Sequence, residues 1–317
     1  MLKLHKNFFA LVLSLLCLNS GLGVACSKSA NIINEQVLRT QLLEDTISRI
    51  VSEYPAEIGV AVIIDNTDTV TVNNECIYPM MSVFKVHQAL AICNDFDNNG
   101  LSLDSIVNIR REELNPHTWS PMMKDHPEAV ISLPVNELLR YTLIQSDNNA
   151  SNYMFNNLVS IAETDRFIAS IIPRQSFRIL YTEEEMFSDH DKAYDNCTSP
   201  LGAAILMNRL FTDSLVNYDK QGFIMKTLEQ CLTGKDRIIA PLIGKEGVTF
   251  AHKTGSGFIN KHGALAAHND VAFIRLSDNT TYTLAVFVKD FMGNENQAAK
   301  AISRISETVY SFLKQTP

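Results

Sequence analysis

The hydrophobic period of this chain changes twice along its length, and that restricts its folds more than any other feature. Ile58 to Ile64 is a β-branched, strand-like run, and Thr69 to Val72 is a second one after the turn residues Asp65-Asn66-Thr67-Asp68. The pair reads as a hairpin. After Gly247 the period is two again, over Val248 to His252, Val271 to Leu276 and Tyr282 to Val288. Between these ends apolar residues recur mostly at helical spacing. Helical spacing also marks residues 36–53, through Val37, Leu42, Leu43, Ile47, Ile50 and Val51, and Asn296 to Leu313, through Ala298, Ala301, Ile302, Ile305, Val309 and Phe312. A lone hairpin is marginal in water, so the first strands need the last ones. The expectation is α+β: one antiparallel sheet with the terminal helices on a face, plus a helical middle. In domain terms, residues 26–79 and 234–317 make a discontinuous α/β domain around a helical domain over 80–233.

Inside the middle segment, Pro79 precedes a helix that begins at Ser82 and stops at Asn98-Asn99-Gly100. Ser132 reads as an N-cap with Pro134 in the first turn. It opens a stripe of Val135, Leu138, Leu139 and Leu143 that ends at Gln145. Leu201 to Phe211 and Gly222 to Leu232 read as further helices.

At 317 residues and 46% hydrophobic, the chain can bury one large core or two that adjoin. Its net charge of -8 argues against a nucleic-acid partner. Lys3 and Lys6 precede the apolar run Phe8 to Leu18 and then small residues. That is the order of a secretory signal peptide over residues 1–25, too short for a spanning helix. Export to the periplasm is therefore expected. Gly23-Val24-Ala25-Cys26 resembles a lipoprotein processing site, which makes Cys26 a candidate lipid anchor. Cys76, Cys93, Cys197 and Cys231 show no CxxC spacing and are expected as buried free thiols, although an exported compartment permits disulfides. The histidines, among them His87, His190, His252 and His268, show no HxxxH or HxH spacing, so no metal is expected.

Three short motifs carry the chemistry. Ser82-Val83-Phe84-Lys85 sets a serine and a lysine three apart at a helix start, where they share one face. A serine nucleophile needs such a proton acceptor within reach. Ser146-Asp147-Asn148 falls in a loop after the Leu143 stripe. Ser146 could shuttle a proton, the Asn148 amide could hold a carbonyl or a lysine, and Asp147 would buttress the loop. Lys253-Thr254-Gly255 closes a strand, with Ser256 and Gly257 after it. A cation and two hydroxyls there suit a carboxylate, and an edge strand could lend the Ser256 N–H to an oxyanion hole shared with the Ser82 N–H. Each motif alone is cheap: the first could be a cap with a solvated lysine, the second turn chemistry, the third a strand-end charge. Together, in this order, they are a poor accident.

On Tyr78-Pro79-Met80-Met81-Ser82-Val83-Phe84-Lys85, Ser146 to Asn152 and Ala251 to Gly257, the chain resembles class A serine β-lactamases, and most closely the CfxA-like extended-spectrum cephalosporinases of Bacteroides-type bacteria. The resemblance covers essentially everything after the leader. It implies the β-lactamase/transpeptidase-like fold, a monomer without cofactor, and hydrolysis of the β-lactam amide of penicillins and cephalosporins through a serine acyl-enzyme. Ser82 would be the nucleophile, Lys85 or Glu183 through water its base, and Ser146 the proton donor to the leaving nitrogen. Lys253, Thr254 and Ser256 would hold the substrate carboxylate, and Trp119 would stand at the pocket mouth. The resemblance also selects Glu183 from Glu183-Glu184-Glu185, because the family's deacylating glutamate lies three residues before an apolar anchor, here Met186. Two positions depart from it. Phe187 stands where an asparagine commonly helps hold the water, and the arginine often found after the third motif is missing, with His262 in its neighbourhood. A D,D-peptidase acting on cell-wall peptides and a non-hydrolytic β-lactam sensor are the alternatives.

Overall fold

The computed structural model describes residues 23–75 and 77–315. The expected leader up to residue 22 and Cys76 lie outside the described residues, and so does the side chain of Cys26.

Strands β1 (Glu57–Ile64) and β2 (Asp68–Val72) form the expected hairpin. β3 (Tyr78–Pro79) follows, and then β4 (Ile106–Arg110) pairs with β5 (Val130–Pro134). The short strands β6 (Phe177–Arg178) and β7 (Cys197–Thr198) join β3 in a small sheet. β8 (Thr249–Ser256), β9 (Leu265–Arg275) and β10 (Thr281–Phe291) complete the main sheet, whose order is β2-β1-β10-β9-β8. All its pairings are antiparallel, with Val60 opposite Val286 and Lys253 opposite Val271.

β1 is buried along most of its length because the sheet is covered on both faces. Successive side chains of a strand point to opposite faces. Ile58, Val60 and Val62 therefore pack with Leu43, Ile47, Ile302 and Ile305 of the terminal helices Gly23–Ser52 and Glu295–Lys314. Ala61 and Ile63 join the other core, with Phe84, Leu90 and Leu139 from the middle of the chain. The helix Lys85–Asn98 runs through that second core and is buried over most of its length.

The middle segment departs from expectation in three places. It holds the β4–β5 hairpin and the small β3-β7-β6 sheet besides its helices. Ser132 is not an N-cap: it sits in β5, where its hydroxyl donates to Asn108 Oδ1 at 2.7 Å. The helix Val135–Ile144 needs no side-chain cap, because its first N–H groups, on Val135 and Asn136, donate to the carbonyls of Ser105 and Leu103 at 3.1 and 2.9 Å. Finally, the helix expected over Gly222 to Leu232 runs Tyr218–Leu228, capped by the Asn217 side chain, which leaves Cys231 and Leu232 beyond its end.

Candidate active site

Met81–Phe84 is a tight 3-10 turn that leads into the helix Lys85–Asn98, so Ser82 lies just ahead of the helix proper. It is partly exposed, while Lys85 is fully buried. A lysine stays buried only where its donors are met. Lys85 Nζ donates to Ser82 Oγ at 2.9 Å, Ser146 O at 2.9 Å and Asn148 Oδ1 at 2.7 Å. Glu183 Oε1 lies 2.8 Å away as well. Four oxygens thus crowd an ammonium with three protons. The Ser82 hydroxyl has another outlet, because it donates to Glu183 Oε1 at 3.0 Å. The contact between Ser82 and Glu183 is direct.

The three glutamates have separate fates. Glu185 is the N3 residue of a capping box: its Oε2 accepts from Thr182 N and Thr182 Oγ1. Glu184 is exposed, and its N–H is taken by Asn152 Oδ1 at 3.2 Å. Glu183 alone of the three faces Ser82 and Lys85. Met186 is buried and anchors the short helix Glu183–Ser188. Phe187 is 46% exposed. Asn196, which carried no sequence signal, ties the loop shut: its Oδ1 accepts from Leu180 N and Tyr181 N, and its Nδ2 donates to Tyr181 O at 2.6 Å.

The second motif is held in a strained turn. Ser146 has φ 61°, a left-handed conformation uncommon outside glycine. Its carbonyl thereby reaches Lys85 while its hydroxyl accepts from Lys253 Nζ at 2.9 Å. Asp147 is fully buried and fixes this turn, accepting from Ser120 Oγ, Met122 N and Ala150 N. Burial pushes its carboxyl above the usual range, against those hydrogen bonds. Both ends of the Asn148 amide are occupied, by Lys85 and by Thr118 Oγ1 at 2.8 Å. Trp119 is 54% exposed, with its indole N–H on Gln145 O at 2.8 Å. Its backbone carbonyl accepts from Asn148 N at 3.0 Å, which sets the ring beside the Ser146 turn.

The third motif lies on the edge strand β8. Gly257 N donates to Ala267 O of β9 at 2.8 Å, so strand alternation turns the Ser256 N–H toward the open edge. That edge packs against the Ser82 turn: a Cβ on Gly255 would lie 2.3 Å from Met80 O. Lys253 is fully buried, and burial lowers its ammonium to about 7 despite the anions nearby. Ser256 is exposed at the mouth.

A buried arginine reaches the third motif from the segment before it. Arg237, buried in the segment that precedes β8, donates to Ser256 Oγ at 2.6 Å, Gly255 O at 3.2 Å and Asn269 O at 2.7 Å. His262 is exposed on the turn before β9, its N–H on Asn260 Oδ1. No motif marks Arg237 in the sequence; only the sheet brings it to Ser256.

A serine, a lysine and a carboxylate in mutual contact, a second serine–lysine pair beside them, and an open strand edge suit acyl transfer to a serine. A model of the β-lactamase enzyme family matches residues 42–313. A β-lactamase of Phocaeicola vulgatus is 61% identical over 311 residues, 98% of this chain and 97% of that one. The extended-spectrum β-lactamase PER-1 of Pseudomonas aeruginosa is 31% identical over 279 residues, 88% of this chain and 89% of that one. The crystal structure of a class A β-lactamase from Bacteroides cellulosilyticus has a TM-score of 0.82 and 29% identity, covering 87% of this chain and 99% of that one. On the fold, the site and these likenesses together, the chain belongs to the β-lactamase enzyme family, as a class A enzyme that hydrolyses the β-lactam amide.

Proposed function

We propose that hydrolysis runs through an acyl-enzyme on Ser82. The observation that carries this is the contact of Ser82 Oγ with both Lys85 Nζ at 2.9 Å and Glu183 Oε1 at 3.0 Å. Glu183 can take the serine proton as Oγ attacks the lactam carbonyl, and so can Lys85 once its ammonium has passed a proton to Glu183, 2.8 Å away. The helix start adds positive potential where the oxyanion develops. The Ser82 and Ser256 N–H groups cradle that oxyanion. Ser146 then protonates the leaving nitrogen and is recharged from Lys253, whose lowered affinity for its proton suits it to the task. The substrate carboxylate rests on Lys253, Thr254 and Ser256, with Arg237 behind Ser256 adding charge and holding its hydroxyl. Trp119 borders the mouth. Glu183 activates the water that releases the product.

The reading is tested by intact-mass spectrometry with a slowly hydrolysed β-lactam. One adduct is expected, on the peptide that holds Ser82, and none on Ser82→Ala. An adduct on another residue, or steady turnover by Ser82→Ala, would reject the serine assignment. The name of PER-1 as an extended-spectrum enzyme supports a substrate range that reaches cephalosporins.

We further infer that the chain acts as a monomer in the periplasm after removal of its leader, with the discontinuous division into α/β and helical domains described above. The charge and hydropathy order of residues 1–25 supports export, and Gly23-Val24-Ala25-Cys26 supports lipid attachment at Cys26. Radiolabelled palmitate is expected in the wild-type protein and not in Cys26→Ser. Equal labelling of the two would dismiss the anchor.

A further inference from the structure

The loop that carries Glu183 is moored at its far end by contacts that the hydrolytic steps leave unused. The short helix Glu183–Ser188 passes through Asp189 into a 3-10 helix, His190–Tyr194. Asp189 joins the two stiffly: its N–H donates to Glu185 O at 3.1 Å, and its Oδ1 accepts from Asp191 N at 3.1 Å. At the end of this unit the Tyr194 hydroxyl donates to Asp290 Oδ1 at 2.6 Å. Asn260 Nδ2 meets the same two oxygens, Asp290 Oδ1 at 2.9 Å and the Tyr194 hydroxyl at 3.0 Å. Asn260 also fixes the turn between β8 and β9, because its Oδ1 accepts from His262 N and Ala264 N. Three side chains from three segments thus close on one another.

The backbone of Asp290 is unusual as well. It has φ 52° within β10, a left-handed conformation that aspartate tolerates better than most residues. The β9–β10 pairing runs through Lys289 with Ala267 and Phe291 with Leu265, and skips Asp290. Ala266 gives its N–H to Phe258 O at 2.8 Å instead. A strained residue persists only where its surroundings over-determine it. Here the break brings a carboxylate of the sheet onto Tyr194. The phenol stays a donor, because burial and the Asp290 charge outweigh the Asn260 bond and push it up to about 12. Two contacts run alongside. The Phe258 ring stacks on His190, with centroids 3.9 Å apart and planes 22° from parallel. Lys261 reaches Asp191 at 3.1 Å, but both are exposed, and such a pair holds little.

We propose that Tyr194, Asn260 and Asp290 form a clasp that positions Glu183 for release of the acyl group. The three are positioning residues, acting through the backbone of the loop. Its other attachment is Asn196, which holds Leu180 and Tyr181 with its side chain and accepts from Met80 N at 2.8 Å, beside the Ser82 turn. Glu183 therefore lies between two fixed points, the Ser82 turn and the end of the sheet. With the second point gone, swinging of the helix Glu183–Ser188 about the first is resisted chiefly by the packing of Met186 and Ala193. Apolar packing of that kind is not directional. Release of the acyl group demands the tighter placement, since the base must aim a water at one carbonyl carbon.

The clasp rests on the deacylating role of Glu183, so the test follows decay of a preformed adduct, whichever group assists its formation. The adduct of a slowly hydrolysed β-lactam is made, excess compound is removed, and intact mass is read over time. Only folded sites become acylated, so unfolded protein does not enter the measurement. Tyr194→Phe and Asp290→Ala are each expected to slow the decay about 10-fold, part of the ~10²-fold that a misplacement of about 1 Å costs. Asp290→Asn keeps an oxygen for both donors and tolerates the left-handed backbone, and it is expected to recover most of the rate. In a Glu183→Gln background, Tyr194→Phe should add nothing, because both changes then remove one function. Decay at the wild-type rate in Tyr194→Phe, no recovery in Asp290→Asn, or further slowing in the Glu183→Gln background overturns the proposal. A Glu183→Gln adduct that decays at the wild-type rate removes the deacylating role of Glu183 instead.

Discussion

Glu183→Gln is expected to stop the reaction after its first half. The amide keeps the shape of the carboxylate but cannot accept a proton. Loss of a positioned general base costs about 10²- to 10⁴-fold, and here the loss falls on release of the acyl group. A cephalosporin should give a burst of about one product per enzyme and then a covalent adduct that persists on the minutes scale, read by stopped-flow absorbance and intact mass. Lys85 retains Ser146 O and Asn148 Oδ1 in this variant, so it stays in place beside Ser82. The outcome also divides the two candidate bases. A rapid burst assigns acylation to Lys85. Absence of any adduct assigns acylation to Glu183 as well, through its direct contact with the Ser82 hydroxyl. Steady turnover at the wild-type rate would sink the deacylating role of Glu183 altogether.

Gly255→Ala is expected to be nearly as damaging, although the new methyl meets no substrate. Its Cβ would fall 2.3 Å from the Met80 carbonyl and 3.1 Å from the Met81 side chain. The obstructing atom is backbone, so no rotamer change relieves it. Met80 O is also held by Asn269 Nδ2 at 3.3 Å, with Pro79 O at 2.7 Å, and Met81 already sits at φ 47°. The strand and the Ser82 turn must therefore move apart. Overpacking of this kind costs about 1–3 kcal/mol of stability. Displacing the serine from its partners by about 1 Å costs about 10²-fold in kcat. Thermal melting and steady-state kinetics check the two numbers separately. A variant with wild-type kcat would mean that the open edge of β8 does not set the position of Ser82.

Much of this was legible from residue order, for physical reasons that differ from place to place. β1 announced itself because a sheet covered on both faces tolerates a continuous β-branched run, Ile58 to Ile64. Lys85 was legible because helical spacing alone delivers it to Ser82. The Ser146 turn was legible as a loop, but not its left-handed backbone, since serine has no special claim to that conformation. Ser132 misled because a serine before a proline mimics a cap, and local spacing carries no trace of the carbonyls of Leu103 and Ser105 that do the work instead. Arg237 and Asn196 were beyond reach for the same cause. Each depends on partners brought close by the fold, as when β8 carries Ser256 to Arg237.

The order β2-β1-β10-β9-β8 sets the timing of the molecule's birth. The first long strand waits for the last one: Val60 finds Val286 only when nearly the whole chain has been made. Until then β1 has only β2 for company, and a two-stranded ribbon does not hold its shape in water. Pairings so distant in sequence form slowly, and the unfinished chain exposes both of its apolar faces meanwhile. The pocket around Ser82 needs those late strands too, because Lys253 of β8 is what holds the Ser146 hydroxyl beside it.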